Sequence, residues 1–361
     1  KSATRFSVSL SPPEERSFLA TAEPAALHTT SHETIHRMAD TGGEVREENT
    51  QGTPIGGFNL DLSPGEIVDG DARRIRSLAT WACITLTPGF AFLRQRSEFV
   101  QGFEAASRAG GALDEGASAG AVGVAGASAI GTWMMLPAPA DAGTQTVLAS
   151  TDTLYGMALL EFDLHGSLVL TVPEGFPDGR YWSIAGMDAM LNNIVHLGPK
   201  GPGSEPGEHL LVGPDWKGAA PSWAAGVIRM PTTSACLYAR ALLGFGEGDL
   251  ERVRAWREQI TLTTLAEREG GPPPVIETRD LVHGDLRHLH DPWRFLELGF
   301  AHLDRNPPPP EGSWLLDLLR SGGFDELEGA DRRAAVEDGF RDAQAILDGT
   351  ISGQERRDGW T

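Results

Sequence analysis

A series of short apolar or alternating runs, each closed by turn residues, constrains the fold most. Gly, Pro and Asp separate the runs, as at Glu174-Gly175 and Pro177-Asp178-Gly179. The runs are Thr146–Leu148, Met157–Phe162, Ser167–Val172, Tyr181–Ile184, His209–Val212, Gly226–Met230 and Ala235–Leu242. Many short strands at regular spacing, with turn chemistry between them, are typical of an antiparallel sandwich or barrel.

From Asp249 onward the apolar spacing becomes helical. Asp291-Pro292 predicts the start of a helix, with Asp291 as N-cap and Pro292 in the first turn. The stretch Ile75–Phe103 also has helical spacing, and we expect an interruption at Pro88-Gly89. The sequence thus predicts an α+β protein, an antiparallel β-sandwich or jelly-roll-like domain with flanking helices at both ends.

Shifts in composition divide the chain into four segments. They are a polar arm and helical segment (1–109), a Gly/Ala-rich linker or loop (110–131), a β-rich core domain (132–265) and a C-terminal helical segment (266–361). Residues 1–75 lack a core of their own, so we expect this arm to act as a lid on the core domain.

The charge of the chain restricts its partners. Fifty acidic against thirty basic residues give a formal charge of −20, which repels nucleic acid and anionic lipid surfaces. No apolar stretch reaches the ~18 residues of a membrane-spanning helix. We expect a soluble chain that acts on a small polar substrate, without nucleic acid or membrane insertion, and we consider it a candidate homo-oligomer. The compartment stays open between cytoplasm and export after processing.

An ordered set of motifs lies between Thr146 and Leu265. It comprises Asp152-Thr153-Leu154-Tyr155, Leu168–Pro173, Gly179-Arg180-Tyr181, Asp188, Asn193, Gly213-Pro214, Trp216, Gly218, Pro231-Thr232 and Arg240. With these motifs the chain resembles the bacterial family of domains of unknown function 1254. The resemblance implies a jelly-roll-like β fold with flanking helices, and no particular activity.

The sequence departs from that family in three respects. Ser150-Thr151 stands where the family often has an Asn, and the first 140 residues match poorly. Family members commonly continue into a second β domain, of family 1214, soon after a Gly-Trp, whereas this sequence ends at Gly359-Trp360-Thr361. If the second domain completes a shared cleft in the family, a site carried over from the family is incomplete in this sequence.

Four residues are candidates for catalysis. Asp152 and Asp188 could converge with Tyr155 and Arg180 if their segments lie on adjacent strands. One carboxylate would act as base, a tyrosine as acid and Arg180 as anion clamp. The alternative is structural, because Asp-Thr at a strand start often caps a turn and Gly-Arg-Tyr is a common hairpin return.

A second set of residues suits a polyhydroxylated ligand, because amides, aromatic faces and a guanidinium bind sugars. The residues of this set are Tyr181, Trp182, Asn192, Asn193 and Arg229. In the structural alternative the asparagines belong to turns and the tryptophan to the core.

Histidine spacing gives two weak metal candidates. His28, His32 and His36 share one helical face but extend too far for a single ion. His283, His288 and His290 form the second group, and for both we favour solvated or capping roles. Gly116–Gly120 has the Gly-x-Ser-x-Gly pattern without the strand and helix that a nucleophile elbow needs. We predict no cofactor and no metal.

Two functions follow. The first is a cofactor-independent enzyme of small-molecule metabolism, of hydrolase or lyase type, with a polar substrate in a cleft of the β domain. The alternative is a non-catalytic module that binds a glycan or a partner chain. A carboxylate with a raised pKa in a closed pocket would favour the enzyme.

Overall fold

In a computed structural model of the chain, two sheets face each other and helices flank them. The structure describes residues 64–108, 128–136, 138–140, 150–199, 201, 203–324 and 327–352. Residues 1–63 of the predicted lid, the Gly/Ala-rich segment up to residue 127, the Gly-x-Ser-x-Gly match and the first histidine group lie outside these residues, whereas residues 64–75 of the predicted lid begin a long helix. Every described element belongs to one compact unit, which begins at Leu62.

The described elements are seven helices and nine strands. The helices are α1 (Pro64–Arg108), α2 (Phe162–His165), α3 (Asp249–Arg257), α4 (Leu265–Arg268), α5 (Pro292–Arg305), α6 (Ser313–Arg320) and α7 (Ala330–Ser352). The strands are β1 (Trp133–Met135), β2 (Thr153–Glu161), β3 (Leu168–Val172), β4 (Trp182–Asp188), β5 (Asn193–Leu197), β6 (Gly207–Val212), β7 (Gly226–Arg229), β8 (Ser234–Leu242) and β9 (Leu262–Thr264). The predicted α+β class with antiparallel sheets is confirmed.

The strands form a five-stranded sheet, in the order β1-β2-β8-β4-β5, and a four-stranded sheet, in the order β7-β6-β3-β9. All neighbouring pairs are antiparallel except β6 and β7, which are parallel. β8 is the central strand of the larger sheet. Because β2 and β4 both run antiparallel to β8, they run in the same direction and begin at the same end of the sheet.

Alternation along β8 separates its two faces. Ala235, Leu237, Ala239 and Ala241 point into an interior cluster with apolar residues of both sheets. The intervening residues point outward, where Cys236 packs against the second half of α1. The core therefore lies between the sheets, and α1 covers part of the outer face of the larger sheet. The jelly-roll likeness stays a prediction.

Helix α1 runs without a break through Pro88, so the expected interruption at Pro88-Gly89 is wrong. A proline inside a helix removes one hydrogen bond and costs about 3 kcal/mol. Packing offsets that cost, since Leu86 is buried against α5–α7 on one side and Phe92 against the sheet on the other. The Thr87 hydroxyl also donates to the Cys83 carbonyl at 2.7 Å.

The first half of α1 packs with α5, α6 and α7 around a separate helical core. Its buried residues are Ile75, Leu78, Ala79, Ala82, Leu86, Leu296, Leu303, Leu319, Phe324, Ala335 and Val336. As expected, Asp291 caps α5, its carboxylate accepting from the Trp293 N–H at 3.0 Å. None of the described helices combines the length and the apolar character that spanning a bilayer requires.

Gly339 sets the distance between α1 and α7. A Cβ atom at Gly339 would lie 2.5 Å from the Arg76 carbonyl oxygen and 2.8 Å from Ala79 Cβ. We expect Gly339→Ala to lower the free energy of unfolding by about 2 kcal/mol, because the helices must separate. Urea denaturation measures the change.

Gly349 of the same helix is the matched control, because an added Cβ there meets nothing within 4 Å. Gly349→Ala is expected to leave the free energy of unfolding unchanged or raise it by up to about 1 kcal/mol through helix propensity. Equal effects of the two substitutions would contradict a close crossing at Gly339.

Candidate functional site

All three tyrosines of the chain lie at the outer face of three adjacent strands. Tyr155 of β2 pairs with Arg240 of β8, which pairs on its other side with Ser183 of β4. Tyr238 is two residues from Arg240 on the same face of β8, and Tyr181 directly precedes β4. We call these five residues the Arg240 site.

Arg240 is the only positively charged residue among the five residues of this site. Its guanidinium carbon lies 5.5 Å from the centroid of the Tyr155 ring and 5.7 Å from that of Tyr238. The side chain is half-buried, and no carboxylate among the described residues lies within ion-pair distance of it. Two aromatic faces therefore hold the guanidinium in place of a counter-ion.

The tyrosine hydroxyls provide hydrogen-bonding groups beside the guanidinium. Tyr181 and Ser183 share a hydrogen bond of 2.8 Å between their hydroxyl oxygens, and the Tyr181 side chain is 45% exposed. The Tyr238 hydroxyl accepts from the Gln95 side-chain amide of α1. Burial raises the pKa of Tyr238 above its ordinary value, so this phenol stays protonated at neutral pH. The site offers one cation, hydroxyl groups and aromatic faces.

Asp152 and Arg180 lie at the same end of the sheet as the Arg240 site, but both side chains already bind other groups of the protein. One Asp152 oxygen accepts from the hydroxyls of Ser150 (2.6 Å) and Thr153 (3.0 Å), and these bonds lower the pKa of the carboxyl. Arg180 forms ion pairs with Asp178 (2.5 Å) and Asp249 (2.7 Å). Its charge is thus balanced within the protein.

Asp188 lies at the opposite end of the sheet, paired with Ala235 at the start of β8. The Asp152 carbonyl, in contrast, accepts from the N–H of Leu243, one residue beyond the end of β8. At about 3.3 Å per residue, the two carboxylates are roughly 25 Å apart. The expected convergence of Asp152 and Asp188 does not occur, because β2 and β4 start together and Asp188 ends β4.

The Asp188 carboxylate is used by the turn that follows it. One oxygen accepts from the N–H groups of Met190 and Asn192, both at 2.9 Å. The other accepts from the Asn192 side-chain amide at 3.0 Å. Leu191 within the turn has a φ of 61°, a left-handed conformation that these bonds stabilise.

The second predicted set is spread over the molecule. Trp182 is 3% exposed and packs in the interior cluster, 5.4 Å from the Trp256 ring. Asn192 belongs to the Asp188 turn, and Asn193 starts β5. Arg229 lies on the other sheet, with its guanidinium 4.7 Å from the Trp216 ring. Of this set only Tyr181 belongs to the Arg240 site.

The described residues contain no group of three or more His, Cys, Asp or Glu that could hold a metal ion. In the second histidine group, His288 binds Asp285 at 2.9 Å, whereas His283 lies 3.3 Å from Arg96. Two open grooves, of about 600 and 500 Å³, lie beside α1 on other surfaces, and no tyrosine lines either of them.

From the sequence, Arg240 was identified only as the residue that closes a strand. Ser183, Tyr238 and Gln95 were not predicted to belong to a site. The alternation along β8 is the signal that could have identified Tyr238 and Arg240, because they stand between the apolar residues Leu237, Ala239 and Ala241. The order of the strands, which decides that Tyr155 and Ser183 flank Arg240, is not visible in that pattern.

Comparison with known protein families gives a match for the β domain. Residues 130–264 match the family described as "Protein of unknown function (DUF1254)". This confirms the resemblance inferred from the motifs, and the DUF1254 match includes every residue of the Arg240 site. No curated protein matches the chain.

Two crystal structures are similar to the chain. The VPA0106 protein from Vibrio parahaemolyticus is 18% identical with a TM-score of 0.54, over 78% of this chain and 60% of that one. An uncharacterized protein from Burkholderia cenocepacia is 15% identical with a TM-score of 0.26, over 76% of this chain and 63% of that one. The first similarity supports the fold alone, and this chain spans less than two thirds of the length of either protein.

Proposed function

We propose that this chain binds a small anionic organic molecule at the Arg240 site. The observation that carries the proposal is the Arg240 guanidinium, held between two tyrosine rings without a carboxylate partner among the described residues. In a chain with a formal charge of −20, a cation kept clear of carboxylates is suited to an anion from solution.

The chemistry of the site favours a carboxylate attached to a flat apolar group. A guanidinium donates two parallel hydrogen bonds to a carboxylate, and such charge-assisted bonds are stronger than neutral ones. The exposed Tyr181 ring offers a face to the apolar part, and its hydroxyl can bind a further oxygen. An uncharged glycan would leave the guanidinium without its best acceptor.

This proposal keeps the non-catalytic binding function raised as an alternative from the sequence, and it specifies a small anion as the ligand. Hydrolase or lyase activity stays a prediction, and its expected carboxylate pair is not assembled. At this end of the sheet Asp152 is an ionised acceptor tied to Ser150 and Thr153. Because Asp152 is held by these hydroxyls and Asp188 lies at the opposite end of the sheet, binding without catalysis fits the described residues better.

Arg240→Gln is expected to weaken binding of benzoate at least tenfold, because charge-assisted hydrogen bonds contribute about 1.5–3 kcal/mol. Benzamide, the neutral analogue of the probe, is expected not to bind the wild type. Isothermal calorimetry at neutral pH and low salt measures both ligands, and circular dichroism confirms that the variant is folded.

Arg229→Gln is the matched control for this experiment. Arg229 also lies over an aromatic ring, that of Trp216, but on the other sheet. Its replacement should leave benzoate affinity unchanged. Equal affinity of wild type and Arg240→Gln for benzoate, or equal binding of benzamide and benzoate, would refute the proposed function.

A further inference from the structure

The segment between α4 and α5 packs against the second half of α1 without joining either sheet. We call residues 276–287 of this segment the strap, and apart from one helical turn they have no regular structure. Leu281 of the strap is buried in the same cluster as Phe99 of α1. Leu286 is buried in a cluster with Leu93 of α1.

Side-chain contacts tie the strap to α1 at three points. They are the Thr278 hydroxyl donating to Glu104 (2.7 Å), the His283 N–H donating to the Ser97 hydroxyl (3.2 Å), and the ion pair of Arg287 with Glu98 (2.6 Å). A segment that is held by few contacts and has no regular backbone pairing opens locally, without unfolding of the whole domain.

The ring of His283 adds a contact that requires a neutral imidazole. Its Nε2 lies 3.3 Å from Nη2 of Arg96. A guanidinium can only donate hydrogen bonds, so Nε2 is the acceptor and carries no proton. A proton on Nε2 would place two donors and two positive charges face to face.

Arg96 is fixed in its position and cannot turn away from such a charge. It is 3% exposed, and its Nη1 binds the buried Glu161 carboxylate at 2.8 Å. His283 is only half-buried and belongs to the strap. The strap is therefore the side of this contact that can move.

We propose that His283 is a pH-sensitive latch, whose protonation releases the strap from the second half of α1. Arg96 of α1 and Arg294 of α5 oppose a positive charge on the ring, as does His302 of α5 when it is charged, whereas Asp280 of the strap favours one. Burial and the two arginines lower the pKa of His283. The latch is closed above the ordinary histidine pKa of about 6.5 and opens as the pH falls through the lower pKa of the folded chain.

Release of the strap would uncover apolar surface of α1. Phe99 and Phe103, which share a cluster with Leu281, are 4% and 2% exposed with the strap in place. The inference goes beyond anion binding at the Arg240 site and does not depend on it, because no strap residue belongs to that site.

Hydrogen exchange of the full chain, followed by mass spectrometry at pH 7 and pH 5, tests the latch. Rates are corrected for the intrinsic pH dependence of exchange. In the wild type the opening constant of the strap amides should rise about threefold or more between the two pH values, within the limit of tenfold per pH unit that one proton allows. Peptides from β8 report global unfolding in the same samples.

Three variants separate the His283 ring from other titrating groups. His283→Gln keeps an acceptor for Arg96 and cannot gain a proton, so its strap should open equally at both pH values. His283→Lys carries a permanent charge against the guanidinium and should raise the opening constant at pH 7 about tenfold. His290→Gln, at an exposed histidine just beyond the strap, should keep the wild-type response.

Equal protection of the wild-type strap at pH 7 and pH 5 would overturn the proposal, and so would a wild-type pH response in His283→Gln. Losses of protection of the same size in the strap and in β8 would also contradict it, because they indicate global unfolding. If His283→Lys does not fold, the wild type and His283→Gln still decide the outcome. Failure of benzoate binding at Arg240 would leave these results unchanged.

Discussion

Glu161→Gln is expected to lower the free energy of unfolding by about 3–5 kcal/mol, the usual effect of removing one partner of a buried ion pair. Glu161 is fully buried, and its oxygens bind Arg96 at 2.8 Å and Arg305 at 2.9 Å. The Ser234 hydroxyl donates to the same carboxylate at 2.6 Å. Glutamine keeps the shape of the side chain but leaves two arginines without their shared counter-ion.

The exposed pair of Glu98 and Arg287 provides the control, because it has the same chemistry on the surface, at 2.6 Å. Glu98→Gln should change the free energy of unfolding by about 0–1 kcal/mol, as exposed ion pairs do. Urea denaturation of both variants at neutral pH measures the difference. A loss below about 1 kcal/mol for Glu161→Gln would mean that the buried carboxylate is not the centre of this network.

Acidification from pH 6.5 to 4 is expected to lower the free energy of unfolding by up to about 3 kcal/mol for each of two buried histidines. Burial lowers the pKa of both His165 and His302 to about 4. The unfolded chain binds protons at these side chains below about pH 6.5, whereas the folded chain does not. The contribution of the two neutral histidines to the free energy of unfolding is therefore fully present above about pH 6.5. It is lost as the pH falls towards 4.

Hydrogen bonding explains why both rings must be neutral. The His165 Nε2 accepts from the Glu161 N–H at 2.8 Å while its Nδ1–H donates to the Gly166 carbonyl at 2.6 Å. The His302 Nε2–H donates to the Ala189 carbonyl at 2.9 Å. Its Nδ1 faces the Asn306 amide nitrogen at 3.4 Å. A second proton on either ring would place two donors face to face.

Urea denaturation at half-unit steps between pH 7 and 4 measures this dependence. In His302→Gln the slope of stability against pH should be about half that of the wild type, whatever the stability at pH 7. His288→Gln, at an exposed histidine, should keep the wild-type slope. An unchanged slope in His302→Gln would contradict the assignment of acid sensitivity to this buried ring.

Local patterns were sufficient to predict much of the fold. The predicted runs Ser167–Val172 and Gly226–Met230 correspond to the strands β3 and β7 within one residue. The cap at Asp291 predicted the start of α5. These features depend on residues close in sequence, where turn and capping chemistry act. At Pro88 a local rule failed, because packing on both sides of the proline outweighs the lost hydrogen bond.

The sites could not be predicted in the same way, because they depend on pairing between distant segments. Arg96, Glu161 and Arg305 come from three parts of the chain and meet only when α1, β2 and α5 pack together. Asp152 directly precedes β2 and Asp188 ends β4, and strand direction decides that they lie at opposite ends of the sheet. The neighbours of Arg240 likewise follow from the order β2-β8-β4, which no spacing encodes.

The length of α1 has a consequence for synthesis on the ribosome. Its first half is completed early, but the helices that cover it begin only at Pro292. At a synthesis rate of about 5–20 residues per second, the apolar side chains from Ile75 to Leu86 stay without their packing partners for on the order of 10–40 s. We expect the nascent chain to rely on a chaperone during this interval, and strains that lack such a holdase should accumulate the protein in aggregates.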